Sequence, residues 1–167
     1  MNIFVSHWSE EAAIAFALKS GLDSAFGAEL NHFISSDLTI VPPGAAWFSE
    51  MTIAMENSKA LIAVLSPVSI ERQWIAFETG AAWTRGIPII SVCHSGLKAS
   101  DLPPPYCLFF RFEVTQLDFP EKLVRVLAAT LGAPRAQRLD MATFSSRLRE
   151  AELACASVSM RSPRDDA

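Results

Sequence analysis

The segment "WIAFETGAAW", residues 74–83, places one carboxylate, Glu78, among two tryptophans, a phenylalanine and several alanines. Trp74 precedes it by four residues, so on a helix the two side chains project from one side, a turn apart. A glutamate beside indole and alanine loses hydration, which raises its pKa. That is how a carboxylate is held for acid, base or cation-stabilising work. The plainer reading is a solvated helix residue with no chemical role. Other constellations carry less. Cys93 and His94 invite a nucleophile–base reading, but neighbours on an extended strand point to opposite faces. His7, His32 and His94 lack metal-ligand spacing and no C-x-x-C pair occurs, so no metal is expected. No G-x-G-x-x-G, G-x-x-x-x-G-K-[ST] or G-x-S-x-G is present, which sets aside dehydrogenase, P-loop NTPase and α/β-hydrolase chemistry.

The elements that must position Glu78 alternate strand and helix. "NIFVS" (2–6) reads as a strand. Ser9 is placed to cap a helix with Glu10 and Glu11 in its first turn, a buried stripe of Ile14, Leu18, Leu22 and Phe26, and Gly27 as its stop. "NHFIS" (31–35) is a second strand. The loop that follows is punctuated by Pro42, Pro43 and Gly44. A helix is predicted over 47–57. "KALIAVLS" is an unbroken apolar run, as expected of a central strand covered on both faces. After the Ser66-Pro67 break comes the helix of Glu78, ending near Gly86. "IPIISV" (87–92) and "CLFFRF" (107–112) are the fourth and fifth strands. The next helix has Asp118 as cap, Pro120 in its first turn, an apolar line of Leu123, Leu127 and Leu131, and Gly132 as its end. A further amphipathic helix with Leu139, Met141, Phe144, Leu148 and Leu153 is expected to pack on the domain.

Repeating units of about 30 residues argue for a parallel sheet wrapped by helices on both faces. Five of them match the flavodoxin-like strand order 2-1-3-4-5. In such a sheet ligands bind beyond the carboxyl ends of the strands, where the strand order reverses. The segments able to reach that point are Ser6-His7-Trp8, the loop 35–44, the loop starting at Ser66 and the helix after it, which carries Glu78.

Composition bounds the function classes. A chain of 167 residues, 50% hydrophobic, suits one domain with a sizeable core. Its net charge is −4 and no basic stripe interleaves with aromatics, so direct nucleic-acid binding is not expected. No apolar run approaches the about 18 residues of a membrane span. "MNIFVSHWSEE" lacks the basic start of a signal peptide. The three cysteines, Cys93, Cys107 and Cys155, are odd in number and far apart, which suits reduced thiols. A cytoplasmic location is expected.

Across residues 1 to about 130 the chain resembles a TIR (Toll/interleukin-1 receptor) domain of the prokaryotic, NAD-consuming type. "IFVSH" is similar to the first-strand box. "SSDLTIVPPGAAW" is similar to the BB loop after the second strand, with Asp37, Pro43, Gly44 and Trp47 in their usual order. "SKALIAVLSPVSI" resembles the third strand and its exit, and Trp74 with Glu78 forms the W-x-x-x-E motif. "GIPIISVCHSGL" with "LPPP" resembles the fourth strand and its exit loop. The resemblance implies a TIR domain over 1–133, leaving a helical extension over 134–157 and a disordered tail over 158–167. It implies cleavage of the nicotinamide–ribose bond of NAD⁺ as substrate, without a cofactor, with Glu78 as the catalytic glutamate. Water as acceptor gives ADP-ribose; an internal adenine nitrogen or ribose hydroxyl gives a cyclic isomer. Ser6, His7, Asp37, Pro43, Gly44, Trp47 and Trp74 are implied to line the substrate site. Self-association through the BB loop is implied too, as is a bacterial anti-phage signal read by a separate effector. Some TIR NADases carry basic residues just after the first-strand box. Here His7 and Trp8 take that place, which leaves the phosphate contacts unassigned, with Arg72 and Arg85 as candidates. Two rivals stand beside this reading: a non-catalytic TIR module that works by homotypic docking, and a nucleoside deoxyribosyltransferase-like enzyme sharing the sheet and a catalytic glutamate.

Overall fold

The structure is a computed structural model and describes residues 1–35, 47–133 and 140–159. Five parallel strands pair in the order β2-β1-β3-β4-β5. They are β1 (Asn2–Ser6), β2 (Asn31–Ile34), β3 (Ala60–Leu65), β4 (Ile89–Cys93) and β5 (Phe110–Glu113). The helices are α1 (Ala12–Phe26), α2 (Trp47–Glu56), α3 (Gln73–Thr84), α4 (Phe119–Leu131) and α5 (Met141–Ser159). The flavodoxin-like α/β order expected from the alternation is the order observed. No helix among the described residues is long and apolar enough to cross a membrane.

The apolar runs of β3 and β4 are buried throughout, and their period of two divides them between two cores. Ile3, Val5, Ile62, Val64, Ile90 and Val92 face α1, α4 and α5. Phe4, Leu61, Ala63, Leu65, Ile89 and Cys93 face the side of α2 and α3. Ser6 shares the parity of Phe4, so β1 ends with a hydroxyl directed toward α3. The strand ends shift from the sequence expectation. β4 begins at Ile89 rather than 87, because Pro88 contributes only its carbonyl, which accepts from the Leu61 N–H at 2.9 Å. β5 begins at Phe110 rather than 107, because residues 106–108 coil into a 3₁₀ turn behind the prolines and sink Tyr106 into the core.

Helix starts depart more. Ser9 does not cap α1; Ser9–Glu11 is a 3₁₀ turn, and Glu11 turns inward instead of staying at a solvated helix end. Asp118 precedes α4 as expected but spends its carboxylate on Lys122 at 2.7 Å instead of on a backbone cap. Gly27 and Gly132 do end α1 and α4, both at positive φ (65° and 63°).

The last helix, α5, lies against α1 through Phe144, Leu148, Ala151 and Cys155. Leu153 is 74% exposed, off that stripe, and Leu139 lies outside the described residues. The helix continues to Ser159, past the expected end at 157, and residues 160–167 lie outside the described residues. Gly21 of α1 makes this packing close: a Cβ there would stand 2.3 Å from the Phe144 ring. Inside a helix, Gly→Ala ordinarily gains up to about 1 kcal/mol. Gly21→Ala should instead lose about 1–3 kcal/mol by overpacking. In a Phe144→Ala background the same change should be neutral or stabilising, and urea denaturation of the four proteins measures this reversal.

Candidate active site

The buried residues of α3 are Ile75, Glu78, Thr79 and Ala82, spaced as one core-facing stripe. Glu78 therefore occupies a core position of its helix and is fully buried. Two donors meet it. The Ser6 hydroxyl donates to Oε2 at 2.5 Å, and the Trp74 indole Nε1–H donates to Oε1 at 2.9 Å. Burial pushes the carboxyl up from its ordinary 4.5 to about 7, with the Ser6 and Trp74 hydrogen bonds opposing the rise only in part. The solvated-residue reading of Glu78 is thereby excluded.

Beyond the carboxyl ends of β1 and β2 lies a cavity of about 490 Å³. Its described walls are His7, Trp8 and Ser9 after β1, Ser35 after β2, Trp47 at the start of α2, and Arg72, Gln73, Trp74 and Ile75 at the start of α3. Size and aromatic lining suit a small-molecule site. Trp74 links it to the carboxylate: the indole lines the cavity, while Glu78 is not itself among the lining residues. Trp47 packs beside Trp74, ring centroids 5.1 Å apart, so it both anchors α2 and walls the cavity. His7 is buried and held below 6.5, chiefly by desolvation, so it is neutral at pH 7.

Of the sequence-derived site residues, the fold brings together Glu78, Ser6, His7, Trp47 and Trp74. Asp37, Pro43 and Gly44 lie outside the described residues. Trp8, in the strand exit expected to reach the switch point, and Arg72, one of the two phosphate-contact candidates, both line the cavity. Arg72 lays its guanidinium 4.1 Å over the Trp8 ring.

A second polar cluster was missed altogether. Glu11 Oε1 accepts from the Ser66 hydroxyl at 2.5 Å, and Oε2 lies 3.2 Å from His94 Nε2. Ser66 Oγ in turn accepts from the backbone N–H groups of Val68 and Ser69, holding the turn that leads into α3. Burial alone would raise the Glu11 pKa. Hydrogen bonds from His94, Ser66 and Ser69 and the attraction of His94 outweigh it and hold the carboxyl below 4.5. His94 leaves β4 on the face opposite Cys93, as strand alternation requires. Burial first, then Glu113, pushes the Cys93 thiol up to about 12, so the pair makes no nucleophile and base. His32 packs its Nε2 against Asp23 Oδ1 at 2.8 Å, and no metal-binding cluster occurs among the described residues.

A family model described as TIR domain matches residues 3–126. Among solved structures the chain is similar to a metazoan TIR-STING receptor from C. gigas in complex with 2′,3′-cGAMP, with a TM-score of 0.53 and 24% identity. That match covers 75% of this chain and 38% of the receptor, so the chain spans well under half of the receptor's length. A looser match is the sugar isomerase domain of an RpiR transcription factor from Sphaerobacter thermophilus, with TM-score 0.44, 17% identity, and 96% and 79% of the two chains covered. A search of curated proteins finds no match.

Proposed function

Because the chain belongs to the TIR domain family, which includes NAD-cleaving enzymes and signalling adaptors, we propose that it cleaves the nicotinamide–ribose bond of NAD⁺ with Glu78 as the catalytic carboxylate. The observation that carries this reading is a fully buried carboxylate, gripped by Ser6 and by a tryptophan that itself walls a cavity at the strand exits.

The chemistry asks little else. As the C1′–N bond breaks, its electron pair passes to the nicotinamide ring, which leaves as a neutral base. The ribose is left as an oxocarbenium-like centre. A carboxylate in an apolar wall stabilises that charge better than a hydrated one. Water adding at C1′ gives ADP-ribose and one proton, whereas an internal nucleophile gives a cyclic isomer. Glu78 must be anionic and must meet the ribose, so the Trp74 indole has to release Oε1 and swing from its place during turnover. The loop with Asp37, Pro43 and Gly44 is, on this reading, the self-association element, and the product is a bacterial anti-phage signal for a separate effector.

A docking module is the rival, favoured by the exposed aromatics Phe48 and Phe77 on neighbouring helices, ring centroids 6.3 Å apart. Incubation of concentrated protein with NAD⁺, followed by chromatography of nicotinamide and nucleotide products, separates the two. Release of nicotinamide supports cleavage; silence in folded, self-associated protein supports docking. The pH profile adds a sign. With a Glu78 pKa of about 7, kcat/KM should fall about tenfold between pH 8 and pH 6, since only the anion acts. A flat profile over that range would remove Glu78 from the anionic role.

A further inference from the structure

We infer that Arg72 binds the pyrophosphate of the dinucleotide, taking the place of the basic residues that this chain lacks after β1. The inference rests on the NAD-cleaving reading for its choice of ligand, and on the cavity for its geometry.

Among the described lining residues, Arg72 is the one permanent cation and none is a carboxylate. The neighbouring His7 is neutral at pH 7, because burial holds it below 6.5. A dinucleotide carries two negative charges on its bridging phosphates, so they gain most by lying where Arg72 is. The side chain is prepared for that. Its guanidinium rests 4.1 Å over Trp8, and no carboxylate pairs with it among the described residues. Stacking occupies the planar face and leaves the N–H edge for an anion, in the forked geometry that matches phosphate oxygens. Trp8 thereby takes a role that its position alone would not suggest: it is the platform that holds the cation at the cavity wall.

The backbone reinforces the same wall. Arg72 is the N-cap of α3, and no side chain caps that helix start, so the positive end of the helix adds to the guanidinium charge. Arg85, the other candidate from the sequence, stands at the opposite end of α3. It donates to the Ala81 carbonyl at 3.2 Å and lies 3.9 Å from Glu56. It has partners already and does not line the cavity.

The test is calorimetric titration of ADP-ribose into the parent protein, Arg72→Gln, Arg72→Lys and Arg85→Gln, each at low and high salt. Arg72→Gln should weaken binding about tenfold or more, as expected for loss of a charge-assisted contact. Arg72→Lys should recover part of the loss and Arg85→Gln should match the parent. The parent's affinity should fall with salt more steeply than that of Arg72→Gln, a difference that a merely structural role for Arg72 would not produce. Arg72 is exposed, so the variants should melt near the parent temperature. Binding by Arg72→Gln within about twofold of the parent would overturn the assignment. So would equal loss in Arg85→Gln, or no binding by the parent at millimolar ADP-ribose. The two readings fail separately. Arg72-dependent ADP-ribose binding without nicotinamide release would sustain this assignment and sink cleavage. Nicotinamide release with an unchanged KM in Arg72→Gln would do the reverse.

Discussion

Glu78→Gln is expected to abolish nicotinamide release and, at the same time, to raise the melting temperature above pH 7. Loss of activity follows from removing the anion that faces the forming ribose cation. The gain in stability follows from linkage. In the folded protein Glu78 holds its proton up to about pH 7, whereas its ordinary value is 4.5. Between those two values the folded state binds a proton that the unfolded chain releases, so stability declines as pH rises through the window. Above it the full penalty stands, on the order of 3 kcal/mol. Glutamine keeps a carbonyl for the Trp74 indole and an amide for the Ser6 oxygen, without a charge to desolvate. The expected shift is roughly 6–12 °C at pH 8, shrinking toward zero near pH 4.5. Scanning calorimetry across that range, beside the chromatographic assay, reads both effects. A variant that melts lower than the parent at pH 8 would mean that Glu78 is a stabilising anion, contrary to its burial.

Glu11→Ala should act in the opposite sense. Its carboxylate is the shared acceptor for Ser66 and the neighbour of His94, all three buried. Removing it leaves buried donors without their partner and frees the turn that leads into α3. A loss of about 1–3 kcal/mol at neutral pH is expected, the range for leaving buried hydrogen-bonding groups without their partner. Because the folded pKa of Glu11 lies below its ordinary 4.5, its contribution is fully present above that value. It is lost as pH falls through the folded value. Denaturant titrations should therefore show the parent losing this increment in acid and Glu11→Ala lacking that acid limb. Equal stability of the two proteins at pH 7 would show that the cluster contributes nothing to the fold. The two buried glutamates differ for one reason. Glu78 has two hydrogen-bond donors against complete desolvation, whereas Glu11 has three, one of them the His94 imidazole, whose attraction also favours the anion.

Much of this was legible in local pattern. The apolar runs 60–65 and 89–93, the helix stripes and the glycine stops depend on neighbours a few residues apart. So does the pairing of Trp74 with Glu78, one turn apart on α3, which appears in the structure as an indole–carboxylate hydrogen bond. Strand ends were less legible, because single prolines shift them by a residue or more: Pro88 lacks the N–H a ladder needs, and the chain after the prolines 103–105 coils into a 3₁₀ turn before β5. The Glu11 cluster was not legible at all. Its members are separated by 55 and 83 positions, and each alone looks ordinary: an acid in a first helical turn, a serine before proline, a histidine after a strand.

The order of residue types along the chain thus determined the alternation of elements, the parallel sheet and the candidate carboxylate, because propensity and periodicity act over one or two helical turns. The tertiary structure decided how Glu78 is used. Only when β1 lies beside β3 does the Ser6 hydroxyl reach the helix from below, and only then does burial lift the carboxyl toward neutrality. It likewise decided that Trp74 covers the carboxylate on the cavity side and that Arg72 rests on Trp8. Desolvation and hydrogen bonding are properties of everything packed around a group, and most of what packs around Glu78 and Arg72 is distant in the chain.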